Sequence, residues 1–214
     1  MARARRLPLV LAVIAAGGVA AQAAAGSPAV TCKRLAPPPP KKAVHLKAPR
    51  TRLDPKKTYV ATVATNCGTF AFVLDVRHSP KTSASFVALA ARGYFDGTIF
   101  HRIVPGFVIQ GGDPTQTGGG GPGYSTVDRP PRTTRYVRGL VAMAKTATEA
   151  PGTSGSQFFV VTAPDAQLPP DYAVLGRVTK GGAVVTKIGT LGDPATEQPT
   201  QPIVISRLRV TARK

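Results

Sequence analysis

Between Phe100 and Asp113, two short apolar runs flank a Pro105-Gly106 pair, and this stretch constrains the fold more than any other. Apolar runs of that length joined by a Pro-Gly turn read as two antiparallel strands of a hairpin. Arg102 and Gln110 interrupt them where a purely structural strand would carry Val or Ile. An arginine so placed must reach solvent, pair with a partner, or face a functional groove.

The same punctuation recurs along the chain, which has 22 glycines and 21 prolines to supply turns. Strand-like runs fall at 58–65, 69–76, 98–103, 107–111, 139–144, 157–162, 172–178 and 203–210. The first two are separated by Asn66-Cys67-Gly68, a hairpin signal. One helix follows the capping candidates Ser79-Pro80-Lys81-Thr82, with Phe86, Leu89 and Ala90 on one face, Val87 and Ala91 widening it, and Gly93 as its stop. A shorter helix fits 183–188. Eight strands that seldom alternate with helices predict a mainly β fold, a closed eight-stranded antiparallel barrel capped by two helices and spanning 58–214. The segment from Pro114 to Pro131 reads as a long Gly- and Pro-rich loop.

Upstream of that domain the pattern changes. Arg3, Arg5 and Arg6 precede an apolar run from Leu7 to Ala21, then Gln22 and the small residues Ala23 to Gly26. This is the order of a secretory signal peptide over 1–25, so the protein is expected to be exported, secreted or held at the cell envelope. Residues 26–57 are rich in Pro and Lys, including Pro37 to Pro40, and read as a solvated extension or linker. In an oxidising compartment Cys32 and Cys67 are candidates for a disulfide that staples the extension to the domain. The formal charge is +18, but much of the excess lies in the extension. That argues against a dedicated nucleic-acid domain, and contact between the extension and an anionic wall polymer or lipid surface stands as the alternative to a plain spacer.

Several chemistries are excluded by the same residues. Gly118 to Gly123 contains G-x-G-x-x-G, yet Pro122 and further turn residues stand where a dinucleotide-binding helix would open. Gly152-Thr153-Ser154-Gly155-Ser156 lacks the closing glycine of a nucleophile elbow. His45, His78 and His101 are widely spaced and without carboxylate clusters, so neither a metal site nor a Ser-His-Asp hydrolase is expected.

The segment Phe100-His101-Arg102-Ile103-Val104-Pro105-Gly106-Phe107-Val108-Ile109-Gln110-Gly111-Gly112-Asp113 resembles the signature of the cyclophilins, the cyclosporin-binding class of peptidyl-prolyl cis-trans isomerases. Ala142-Met143-Ala144 with Gly155 to Phe159 resembles the family's second signature, and Leu175-Gly176-Arg177-Val178 a later strand. The resemblance implies an eight-stranded barrel, no cofactor, and Arg102 as the catalytic residue. It also implies that Phe107, Val108, Phe159 and Leu168 line a pocket for the substrate proline. Gln110 and the backbone around Ala144 would hold the peptide, with His101 and Tyr172 at the pocket edge. Gln167 stands where many members have Trp, Tyr172 where His is frequent, and Lys145 where Asn is frequent. These three rim positions imply weak cyclosporin binding.

The implied activity is isomerisation of X-Pro bonds, with proline-containing peptides and unfolded exported proteins as partners. The alternative is a non-catalytic proline-peptide-binding chaperone or scaffold tethered to an anionic cell surface.

Overall fold

In the computed structural model, which describes residues 29–214, the chain begins its regular structure with β1 (Thr58–Thr65). Its period-two pattern buries Tyr59, Ala61 and Val63, as a half-buried strand requires. A tight turn through Asn66 and Cys67 leads to β2 (Gly68–Leu74). Next come α1 (Pro80–Ala91), β3 (Thr98–Val104) and β4 (Val108–Gly111). The middle of the chain holds β5 (Thr126–Val127), β6 (Leu140–Met143), β7 (Thr153–Ser154) and β8 (Phe158–Val161). The last elements are β9 (Val174–Lys180), α2 (Gly182–Gly189) and β10 (Val204–Arg213). Eight strands close a barrel in the order β1-β10-β3-β4-β8-β6-β9-β2, and every ladder in it is antiparallel. The expected mainly β barrel with two helices is the fold observed.

Aromatic side chains fill the barrel. Phe158 lies 5.7 Å from Phe86 and 6.0 Å from both Phe95 and Phe100 by ring centroids, each pair nearly edge-to-face. Such pairs add about 0.5–1.5 kcal/mol beyond area burial. The helices complete this core with Phe86, Leu89 and Ala90 from α1 and Val184, Val185 and Ile188 from α2. Of the anticipated α1 stripe, Ala91 is exposed, and Thr82, Ser83 and Ser85 are buried instead. Pro80 opens the helix. The Ser79 side chain makes no cap bond; the Thr82 amide donates to Asp128 Oδ2 at 2.7 Å, so a distant carboxylate serves the helix N-terminus.

Two features depart from the sequence reading. The long loop contains β5, which pairs with β7 in a separate two-stranded ribbon. Strands of two residues leave no periodicity to detect. The second departure is the extension. Residues 1–28, including the expected signal peptide, lie outside the described residues, but from Ala29 onward the chain lies against the barrel. Val30, Cys32, Val44, Leu46 and Leu53 pack on the core, and Cys32 is disulfide-bonded to Cys67. The Lys33 amide donates to Asn66 O at 2.9 Å, and Asn66 Nδ2 returns a bond to Lys33 O at 2.7 Å. The bridge joins residues 35 apart. In the chain-entropy account such a loop contributes about 3–4 kcal/mol. The reading as a solvated spacer is therefore corrected: Pro and Lys dominate its composition, but its few apolar residues find the barrel.

Candidate active site

The hairpin of β3 and β4 carries the polar residues, and a β-bulge decides where they point. Phe100 pairs with Gly111 and Arg102 with Gln110, so His101 is the extra residue. Phe100 and Ile103 are both fully buried inside the barrel although an odd number of steps separates them. The bulge absorbs the mismatch and leaves Arg102 on the outer face beside Gln110.

From there a directed chain of hydrogen bonds runs across the outside of the barrel. Arg102 Nη1 donates to Gln110 Oε1 at 3.4 Å, and Gln110 Nε2 donates to Gln157 Oε1 at 3.0 Å. Gln157 Nε2 then donates to Gly118 O at 2.7 Å and Gly120 O at 2.9 Å. Guanidinium can only donate and the carbonyls can only accept, so both amides have one consistent orientation. On the other edge of the guanidinium, Nε donates to Glu197 Oε2 at 2.6 Å. Nothing in the local sequence pattern marked Glu197; it arrives from the turn before β10.

The glycine loop that ends this network is organised by Asp113. Its buried carboxylate accepts from the amides of Thr115, Thr117, Gly118 and Gly120 at 2.7, 3.1, 2.7 and 3.0 Å. Burial alone would raise its pKa, but donors from Gly120, Thr115 and Gly118 outweigh that and hold it below the usual carboxylate value. A side chain at Gly120 would collide with this carboxylate, which is why a glycine stands there.

Next to Arg102 lies a cavity of about 210 Å³ lined by Phe107, Val108, Gln110, Ala144, Lys145, Phe159, Leu168 and Tyr172. Adjacent Phe158 and Phe159 take opposite sides of β8, Phe158 inside the barrel and Phe159 in this outer pocket. Behind the pocket stands Tyr136, fully buried and absent from the sequence-based candidates. Its hydroxyl donates to Tyr172 O at 2.6 Å and accepts from the Tyr172 amide at 3.0 Å, while its carbonyl accepts from the Ala166 amide at 2.8 Å. Tyr136 thereby holds both ends of the segment that presents Leu168. Burial pushes its phenol up to about 12, so it remains a donor throughout the neutral range. Tyr172 in turn packs edge-on against Phe159 at 5.5 Å. Lys145 Nζ donates to the carbonyls of Thr146 and Glu149, both at 3.0 Å, and lies 5.5 Å from the Tyr172 ring centre.

Two candidates fall outside this cavity. Gln167 is exposed at φ +53, its amide bonded to Asp165 Oδ1 at 3.0 Å, and it is not among the residues lining the pocket. His101, the bulge residue, faces the glycine loop near Gly118 rather than the pocket. Burial lowers its pKa, opposed by Asp113 and assisted by Arg102, a shift that favours the neutral ring.

An apolar recess with one fixed guanidinium and one fixed amide at its mouth suits a small cyclic side chain on a peptide held by its backbone. The model of the family described as cyclophilin type peptidyl-prolyl cis-trans isomerase/CLD matches residues 60–210. The chain belongs to this family. A cyclophilin relative, peptidyl-prolyl cis-trans isomerase-like 1 of Neurospora crassa, is 40% identical over 152 residues, covering 69% of this chain and 91% of that protein. Peptidyl-prolyl cis-trans isomerase A of Mycobacterium tuberculosis is 37% identical over 176 residues, covering 74% of this chain and 95% of its own length. Among solved structures, a Cryptosporidium parvum cyclophilin type peptidyl-prolyl cis-trans isomerase superposes with a TM-score of 0.67 at 32% identity, over 73% of this chain and 99% of that one. The same protein in the presence of the dipeptide Ala-Pro gives 0.66 at 33% identity, over 72% of this chain and 99% of that one.

Proposed function

We propose that this cyclophilin isomerises X-Pro bonds of exported proteins, with Arg102 as its catalytic residue and the cavity of Phe107, Val108, Phe159, Leu168 and Tyr172 as its proline pocket. The observation that carries the proposal is the double restraint on Arg102, Nε on Glu197 and Nη1 on Gln110, at the edge of an apolar recess.

The uncatalysed rotation is slow because amide resonance sets a barrier of about 18–20 kcal/mol. A turnover on the order of 100 per second requires lowering it by about 5 kcal/mol. As the C–N bond twists, resonance is lost and the proline nitrogen gains a lone pair. A guanidinium aimed at that nitrogen stabilises the twisted state more than either planar isomer, which is the condition for catalysis. Arg102 is always protonated, and its restraint means no reorganisation is needed as the charge develops. The apolar walls exclude water around the ring and strengthen the interaction. Gln110, fixed by Gln157, is the group that orients the peptide backbone, and Lys145 with Tyr172 forms the rim.

The export reading rests on the leader-like order of 1–25 and on the Cys32–Cys67 disulfide, a bond that persists in oxidising compartments. Exposed Lys33, Arg34, Lys42 and Lys47 on the docked extension favour contact with anionic wall or lipid surfaces; salt-sensitive binding to anionic vesicles or wall fragments tests that. The main test is a prolyl isomerisation assay on the oxidised protein, with and without cyclosporin, beside fractionation of cells making the full chain. The outcome expected is activity that cyclosporin inhibits only weakly, since the chain has no Trp and Gln167 is not part of the pocket lining, with the protein outside the cytoplasm and its N-terminus near Gly26. Inactivity towards every prolyl peptide, or retention of the full leader in the cytoplasm, would count against it.

A further inference from the structure

A second cavity of about 600 Å³ adjoins the proline pocket and shares Gln110, Ala144 and Lys145 with it. Its other walls are the glycine loop with Tyr124 and Ser125, the segment from Thr146 to Gln157 and, on one side, Ala43, Val44 and His45 of the extension. These last residues precede the part of the chain that the family model matches, which starts at 60.

The extension is held there by bonds along its length. Gln116 Nε2 donates to Pro38 O at 3.1 Å, the Lys41 amide to Pro114 O at 2.8 Å, Lys41 Nζ to Tyr94 O at 3.0 Å, and the Leu46 amide to Pro122 O at 2.7 Å. The disulfide at Cys32 anchors its start. Pro37 to Pro40 lower the entropy lost on docking. In extended chain, alternate residues face opposite ways. Val44 and Leu46 pack towards the core, and His45 between them is exposed at the cavity. The approach to the glycine loop is close: a Cβ at Gly123 would lie 2.6 Å from His45 Cα and 3.0 Å from its Nδ1. Loop and extension are thus shaped for each other.

We infer that the extension is part of the substrate-binding surface, with His45 contacting a side chain of the same peptide that reaches from the proline pocket into the second cavity. The inference rests on the proposed proline site above. It names the side-chain class as well. Lys145 is engaged by two carbonyls, and Glu149 Oε2 accepts from the Thr146 amide at 2.6 Å and its hydroxyl at 3.0 Å. With both charged groups occupied, the rest of the polar lining holds no carboxylate and no ammonium: it is His45, the amides of Gln110 and Gln157, the hydroxyls of Tyr124, Ser125, Thr146 and Ser156, and glycine backbone. That lining suits a large uncharged side chain with hydrogen-bonding capacity, such as Gln or Tyr, over Lys or Glu.

The test measures kcat/KM on two peptide sets, a blocked Ala-Pro peptide and longer peptides in which each position flanking proline is varied among Gly, Gln, Tyr, Lys and Glu. His45→Ala opens the wall and His45→Trp fills the cavity; the exposed position makes both compatible with folding, which circular dichroism checks. The wild type is expected to favour Gln or Tyr over Gly at one flanking position by about tenfold, the size of preference a single well-fitted pocket gives. His45→Ala should compress that preference several-fold, and His45→Trp should abolish or reverse it. Turnover of all peptides with an unaltered preference in both variants overturns this inference alone. No turnover of any peptide by the wild type overturns the proposed function and this inference together.

Discussion

Arg102 Nε donates to Glu197 Oε2 at 2.6 Å, so the guanidinium is gripped by a carboxylate that is not itself part of the pocket lining. Glu197 is itself constrained. It sits at φ +59, a conformation rare for a residue with a side chain, while its carbonyl accepts from the Ile103 amide and its amide donates to Asp193 O, both at 2.8 Å. The two side chains are 34% and 44% exposed, so the pair contributes little to stability. Its consequence is geometric: with Nε on Glu197 and Nη1 on Gln110, the guanidinium is restrained at two of its nitrogens.

Glu197→Ala should therefore lower kcat about tenfold, equivalent to about 1.4 kcal/mol in the barrier, with a melting temperature close to wild type. Glu197→Gln keeps an oxygen that accepts from Nε and should restore most of the loss. Steady-state kinetics on one prolyl peptide separate the cases. Wild-type kcat in Glu197→Ala would show that the pair does not position the arginine.

Tyr136 offers a second handle, because its hydroxyl satisfies both the amide and the carbonyl of Tyr172. Tyr136→Phe leaves these two backbone groups without that partner, at a cost of about 1–3 kcal/mol in unfolding free energy. Loosening Tyr172 and Leu168 should raise KM for proline peptides more than it lowers kcat. Urea denaturation and peptide kinetics check both effects, and an unchanged KM would contradict the bracing role.

Asp113 sets the acid limit of the glycine loop. Its folded pKa lies below the unfolded value, so its contribution to stability is present at neutral pH, begins to fall near the ordinary carboxylate value of about 3.9, and is lost as pH drops through the folded value. Asp113→Asn should be less stable than wild type at pH 7, and the gap should narrow as pH falls towards 2. Thermal unfolding across that range measures it; a constant gap would place the effect elsewhere.

How much of this was legible in the chain differs by residue. Phe86, Phe100 and Phe158 occupy short apolar runs bounded by turns, so the barrel and its core follow from pattern. Arg102 and Gln110 were visible as polar residues out of place, and Phe159 was reached through the resemblance of its segment to the family's second signature. The bulge at His101 was not legible, because an extra residue in a ladder is defined by the partner strand. Glu197 and Tyr136 reach the site from loops, where no periodicity marks a side chain, and their roles come from contacts between distant segments. The Cys32–Cys67 staple was legible from the cysteine pair, but the packing of the extension was missed because composition reports the many exposed lysines and prolines, whereas docking also depends on Val44 and Leu46.

The most direct measurement of the central claim is the isomerisation rate of Arg102→Ala and Arg102→Lys on one prolyl peptide, followed by a protease-coupled assay and by exchange NMR. Loss of a pre-aligned charge that acts on the twisted bond predicts a fall in kcat/KM of about 100-fold or more for Ala, from removal of one directed electrostatic contact. Lys should recover only part of it, and both variants should keep the barrel and still bind the peptide. A rate near wild type in folded Arg102→Ala would contradict the account.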